Sequence, residues 1–476
     1  MTKPAGLTAL EADLSRQFTL LNLPPKPWMP ETRGPDGVAV LDVAIIGAGL
    51  CGLVAHAALA MEGIENTRLF DRAPEGREGP WVTYARMETL RTVKEAAGPA
   101  LGVPALTFRA WFEAQWGEEA WDDMTLAPRE MWMDYLNWYR RMTRADVVND
   151  CDVTDITPVD KLFRLTTTKG THFARRVVIA TGLDALGAPQ LPAVARGLPK
   201  GRVYHSADMF DPATLRGKRV VVVGAGASAM DNAAAALEAG CARLDLLVRR
   251  PKLPVIDKFT GTGSRGMTAG YVGLPDTAKW ELMDEGDRFP VPPPKHSVAR
   301  VARHDHAHLH TGAAVEAIEA RPDGLRITTP QGVIETDVAI FATGFGIALR
   351  DRAELAQVAP HIQTWGDVVG PEKAARNPVL AAHPYLAPDF AFTENTPGAC
   401  PALSRLLCFA YAAVPSHGKV TSGIPSATEG ARRLASGLTR SFFAEDAAQH
   451  LDRFRAYDTP DMDEDIWPPV ALAPTA

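Results

Sequence analysis

The sequence has 476 residues, 46% of them hydrophobic and 22% charged, which suits two or three globular domains, and its 39 glycines and 38 prolines stay below the ~25% of a low-complexity chain. Lys and Arg number 50 against 57 Asp and Glu, a net charge of −7 that excludes a nucleic-acid footprint built on clustered basic residues. Five cysteines (Cys51, Cys151, Cys241, Cys400, Cys408) form no CxxC and no disulfide framework, and residues 1–30 hold no apolar stretch of signal or membrane length, so a reducing cytoplasm is expected and no membrane span.

Leu7, Leu10, Leu14, Phe18 and Leu21 recur at helical spacing until Pro24, Pro25, Pro27 and Pro30 stop them, so residues 1–37 should be an N-terminal helix and linker. Leu41, Val43, Ala44, Ile45 and Ile46 form a short, turn-bounded apolar run, the mark of a strand buried on both faces. Gly47-Ala48-Gly49-Leu50-Cys51-Gly52 follows, then an Ala-rich helix to about Met61 and a strand Thr67–Phe70 that ends at Asp71-Arg72. In such a turn the first glycine permits the bend, the second lets a pyrophosphate approach, and the third lets helix pack on strand. An acidic residue at the place of Asp71 can accept from ribose hydroxyls.

The design returns at Arg219–Val223, with Gly224-Ala225-Gly226-Ala227-Ser228-Ala229 as the turn and Leu244–Val248 as the next strand. This pass ends in Arg249 and Arg250, which attract a 2′-phosphate where Asp71 would repel it. The first turn therefore suits FAD or NAD and the second NADPH. Two strands close on Ala180-Thr181-Gly182 and Ala342-Thr343-Gly344-Phe345, so one domain should interrupt another. The expected boundaries give residues 38–195 and 338–476 to a first unit and 196–337 to a second. Residues 251–310 read as turn-dense and irregular.

These residues resemble the class B flavoprotein monooxygenases, which include flavin-containing monooxygenases, N-hydroxylases and Baeyer–Villiger enzymes. The resemblance rests on the two glycine turns, on Gly79-Pro80-Trp81 and on Phe341-Ala342-Thr343-Gly344-Phe345. It implies an α/β fold of two Rossmann-like domains, the NADPH domain inserted into the FAD domain. It also implies an NADPH-dependent enzyme that inserts one oxygen atom of O2 into a small organic substrate through a flavin C4a-hydroperoxide, with a homodimer compatible.

Trp81, Arg72 and Gly344 join the glycines, Asp71 and Ser228 as cofactor residues, and Lys94, Arg91 and Thr343 are candidates for shaping the cleft. The chain departs from the family between the turns: Gly201 and His205 are correctly spaced, but Pro199 and Met209 stand at the aromatic positions, with Phe210 one residue late. Leu90-Arg91-Thr92-Val93-Lys94 lacks the family's active-site Asn. The same two-nucleotide plan serves a flavoprotein reductase or a redox sensor, but no cysteine pair is spaced for disulfide chemistry.

Other features have plainer readings. His304, His306, His308 and His310 alternate as on one strand face, but no metal site is expected. Trp111, Trp116, Trp121, Trp132 and Trp138 on two helices read first as core. His205 reads as a linker residue, and Ser422 to Ser426 begins a helix that could point N–H groups at a flavin.

Overall fold

The computed structural model describes residues 5–184, 186–421, 423–463 and 466–472. The chain opens with α1 (Ala5–Leu20), then β1 (Val40–Ile46), α2 (Leu50–Met61) and β2 (Thr67–Phe70). Two helices follow, α3 (Phe108–Asp123) and α4 (Arg129–Met142), and then β3 (Val147–Val148), β4 (Val153–Val159), β5 (Leu162–Thr167) and β6 (Gly170–Ile179). Leu7 and Leu14 of α1 are buried, as the helical spacing predicts. Gly6 is needed where α1 crosses α3, because a Cβ there would lie 2.0 Å from the Ala114 carbonyl oxygen.

β1 is the sheet's centre: it pairs in parallel with β2 (Val43 opposite Thr67) and β6 (Ile46 opposite Ile179). Val43, Ala44 and Ile45 are fully buried, which is why this strand is a continuous apolar run. Among the described residues the sheet order is β3-β2-β1-β6-β5-β4. β4 and β5 continue from the first half of β6 as an antiparallel meander.

The chain then crosses out through β7 (Gly187–Pro189) and builds a second sheet from β8 (Val203–His205), β9 (Arg219–Val223), α5 (Ala227–Glu238), β10 (Arg243–Val248) and β11 (Ala307–Thr311). An antiparallel meander of β12 (Ala317–Arg321), β13 (Gly324–Thr329) and β14 (Gly332–Thr336) leads into β15 (Val338–Phe341), β16 (Phe345–Ile347) and finally β17 (Leu406–Cys408). The second sheet has the order β11-β10-β9-β15-β8 and is parallel throughout. Val338 pairs with Val220, so residues 338–341 belong to this sheet, and the return expected at 338 comes later, at β16. β17 then pairs in parallel with the second half of β6. The second sheet thus lies, in sequence, inside the first, and the fold is mixed α/β with parallel sheets.

The outgoing and returning segments touch. β7 and β16 pair antiparallel, Gly187 opposite Ile347, and a Cβ on Gly187 would sit 1.4 Å from the Gly346 carbonyl oxygen. Residues 251–310, expected to be irregular, hold helices at Lys258–Thr262, Arg265–Gly270, Asp276–Arg288 and Lys295–Ala302. Tyr271, Trp280 and Met283 of that layer form a core with Trp365, Leu380 and Val414, which follow the second sheet. Partners this distant explain why no local pattern showed it.

Four of the five tryptophans on α3 and α4 are core. Trp111, Trp121, Trp132 and Trp138 are buried around Phe108 and Tyr135, while Trp116 is 48% exposed beside Gly117, where a φ of 86° breaks α3.

Candidate active site

A cavity of about 740 Å³ opens at the carboxyl ends of β1, β2 and β6, the place where open parallel sheets bind ligands. Gly47, Gly49, Asp71, Arg72, Trp81 and Ile424 are among its lining residues. Gly47 has φ +102°, and a Cβ there would be 2.7 Å from the Ala180 carbonyl oxygen. Gly52 packs against the turn itself: its Cβ would fall 1.9 Å from the Gly47 carbonyl oxygen. Gly49 caps α2, and a Cβ there would meet protein no closer than 3.9 Å, so its open side faces the cavity. The three glycines thus meet three different surroundings: a bend against Ala180, an open side and a close backbone contact.

The Asp71 carboxylate spans the turn, accepting from the amides of Ala48 (2.7 Å) and Ala73 (2.8 Å). That fixes its direction and leaves further lone pairs for a ribose hydroxyl. Trp81 rests edge-on against Trp132 at 6.2 Å, and the Arg129 guanidinium donates to its carbonyl. The aromatic core is therefore the floor beneath a cavity wall. Thr181 also lines the cavity, and its buried Oγ1 has no hydrogen-bond partner among the described residues. The sequence displayed Ala180-Thr181-Gly182, but the strand pattern gave no hint of an unsatisfied hydroxyl.

The second turn repeats the geometry. Gly224 has φ +146°, with its Cβ position 2.6 Å from the Ala342 carbonyl oxygen, and Gly226 has nothing within 4 Å. Ala229, at the third glycine's place, is fully buried, and Ser228 is exposed in the first turn of α5. Arg249 is exposed at the end of β10, and Arg250 donates to the Arg288 carbonyl at 3.4 Å. Both helices offer free N-terminal amides to phosphates.

The three cleft candidates separate. Lys94 is not among the cavity residues: its Nζ donates to the carbonyls of Trp121 and Asp122 and so closes the end of α3. Thr343 Oγ1 donates to the Gln190 carbonyl, and Gly344 accepts from Gln190 N (2.9 Å) and His205 Nε2 (3.1 Å). Thr343 and Gly344 thus bind the two crossing segments together through Gln190, while His205, expected in a linker, ends β8 within the second sheet and bonds Gly344 there. Arg91 Nη2 donates to the Pro292 carbonyl at 3.1 Å, reaching from the first unit to the helical layer.

Thr421 and Ile424 line the cavity ahead of the helix Ala427–Glu445, while Ser422 lies outside the described residues. His310 bonds Asp245 (2.8 Å), and the described residues hold no group of three His, Cys, Asp or Glu suited to a metal ion. Cys51 lines the cavity with its Sγ on the Thr421 carbonyl, and burial pushes the Cys51 and Cys408 thiols up to about 12. Such thiols are poor nucleophiles for disulfide exchange. No helix of the described residues is long and apolar enough to cross a membrane.

Residues 41–364 match the pyridine nucleotide-disulphide oxidoreductase family. The chain is 37% identical over 457 residues to an FAD-dependent urate hydroxylase of Xanthomonas campestris pv. campestris, covering 95% of this chain and 96% of that one. In structure it is similar to an ornithine hydroxylase of Pseudomonas aeruginosa (TM-score 0.67, 16% identity) and an L-lysine 6-monooxygenase of Pseudomonas syringae (TM-score 0.65, 19% identity). Each likeness covers 84% of this chain and 99% of the other. The chain belongs to the pyridine nucleotide-disulphide oxidoreductase family and is one of its flavoprotein monooxygenases.

Proposed function

We propose that this enzyme is an NADPH-dependent FAD monooxygenase that inserts one oxygen atom of O2 into a small oxopurine such as urate. The observation that carries the reading is the near full-length identity to an FAD-dependent urate hydroxylase, joined to a cavity that fits FAD. The fit is physical: Gly49 leaves the backbone open, Thr181 Oγ1 lacks a partner among the described residues, and the α2 amides face the space.

In this reading Gly47, Gly49, Gly52, Asp71, Arg72 and Trp81 hold FAD. Gly224, Gly226, Ser228, Arg249 and Arg250 hold NADPH on the second sheet, which makes that sheet an NADPH domain inserted into an FAD domain. Bound FAD supplies hydride acceptance from NADPH and activation of O2. The chain's own contribution is alignment: Thr343 and Gly344, bonded to Gln190, fix the angle between the two units, and Trp81 with Ile424 keeps water from the wall of the cavity. We take the enzyme to act in the reducing cytoplasm, where its free thiols persist.

The test is NADPH consumption in air with urate, scored against peroxide release. Substrate-dependent consumption with hydroxylated product and little peroxide supports the reading. Stoichiometric peroxide with no product from urate or any related purine would move the enzyme to the reductase class.

A further inference from the structure

One end of the cavity is walled by residues far from the glycine turn in sequence. Cys151 N donates to the Asp71 carbonyl (2.8 Å), so Cys151, Asp152 and Val153 bound the cavity beside the residue assigned to the ribose. Val153 opens β4, and the helical turn Ala353–Leu355 packs against that strand, with Leu355 and Ile156 fully buried in the same core. Arg352 and Glu354, which flank Ala353 on this packed turn, also line the cavity. Nothing in the glycine turn calls for them.

The two side chains hold each other. Arg352 Nε and Nη2 both donate to Glu354 Oε1, at 2.7 Å from Nε, and Arg352 Nη1 donates to the Gly187 carbonyl of β7 at 3.4 Å. The guanidinium plane is therefore fixed by its own donors. Glu354 Oε2 accepts from no described residue, although the Arg352 and Glu354 side chains are only 20% and 18% exposed. A carboxylate oxygen so placed still has lone pairs for an incoming N–H. As a unit the pair is neutral, so it offers little to a phosphate. It suits an uncharged flat heterocycle that carries an amino group on its edge and a π face for a guanidinium.

We propose that Arg352 and Glu354 read the adenine base of FAD, Glu354 Oε2 accepting from the exocyclic amino group and the Arg352 guanidinium covering the ring. The assignment rests on the FAD site proposed above and adds to it the residues that select the base. Asp71 and the glycine turn serve ribose and pyrophosphate, which any flavin dinucleotide has, whereas this pair distinguishes adenine from a base with an oxo group in the amino group's place.

The test is flavin exchange on the holoenzyme. The protein with its FAD is incubated with an excess of FMN, or of the FAD analogue in which hypoxanthine replaces adenine, and the bound flavin is released and identified. The wild type should keep FAD over the hypoxanthine analogue by about tenfold to a hundredfold, since an oxo group cannot donate to Glu354. Glu354→Gln, whose amide can donate to that oxo group, should narrow or reverse the preference. Arg352→Ala should narrow it too, and Arg352→Lys should not restore it, because an ammonium has no planar face. FMN, which has no base, should bind all forms alike. A wild type that takes both dinucleotides equally overturns the base reading with no variant needed. So does an equal loss of FAD, analogue and FMN in the variants, the mark of a pair that only supports the fold. A wild type that carries no FAD overturns the cofactor site itself, and the base reading with it.

Discussion

The Arg86 guanidinium lies 3.9 Å from the centroid of the Phe210 ring and donates to the carbonyls of Ser206, Asp208 and Phe210. It also donates to Tyr84, a cavity residue, so one side chain ties the loop behind Trp81 to the strand-exit segment of the second sheet. Desolvation lowers its pKa to about 10, which leaves it charged at neutral pH.

Arg86→Ala should therefore loosen the two units against each other. Loss of a charged hydrogen-bonding group of this kind costs about 1.5–3 kcal/mol. Thermal unfolding should show the loss, and peroxide released per NADPH should rise. Lys at this position should not restore either, because it lacks the planar fork. Unchanged coupling in Arg86→Ala would remove the residue from domain alignment.

Two glycines of the first nucleotide turn should fail differently. At position 49 a larger side chain points into the cavity, so Gly49→Leu should fold and lose its yellow colour. At position 52 a Cβ collides with backbone, so Gly52→Ala should lower stability by about 1–3 kcal/mol. Flavin absorbance relative to protein absorbance, read beside the melting temperature, separates the two.

Thr181→Val should leave the apoprotein at least as stable, since the buried hydroxyl it removes has no partner among the described residues. FAD should then dissociate more readily, by about fivefold to tenfold for one neutral hydrogen bond. Equal flavin retention on dilution would show that Thr181 does not touch the cofactor.

Replacing Arg249 and Arg250 together by Gln should raise the KM for NADPH by about tenfold to a hundredfold and hardly change that for NADH. If the wild type uses both nucleotides equally well, the 2′-phosphate assignment fails.

The pH profile of stability has opposing parts. Burial lowers His383 to about 4 and His417 to about 3, so both stay neutral when folded. Their unfolded forms take up protons first, so stability should fall as pH drops below about 6.5 towards 4. Asp42 runs the other way: burial raises it to about 6, so its contribution declines as pH climbs from about 4 through 6. Asp42→Asn should raise the melting temperature at pH 7.5, and that gain should vanish near pH 4. Arg175 keeps its pair with Asp446 at 2.8 Å in that variant.

What the sequence revealed was local. Gly47, Gly52 and Gly224 stand where positive φ or a near-zero gap demands glycine, and apolar runs beside them make β1 and β9 readable. Arg86 carried no such signal, since its partners lie on another element, and the unpaired hydroxyl of Thr181 leaves no trace in a sequence pattern. Lys94 stands beside a family motif in the sequence, and its ammonium donates to the carbonyls at the end of α3, contacts no local pattern displays. The helical layer was hidden by its prolines and glycines, whose turns enclose short helices with core partners far along the chain.

That layer also restricts how the enzyme can move. β7 and β16 lie side by side and could act as a pivot, but Trp280 and Trp365, with ring centroids 6.3 Å apart, bridge the inserted segment to the chain beyond it. Tyr271 adds a bond from its hydroxyl to the Pro415 carbonyl at 2.9 Å. A wide swing about the pivot would bring this core into water, at roughly 25 cal/mol for each Å² of apolar surface uncovered. The helical layer therefore holds the two halves against a gaping motion about that pivot.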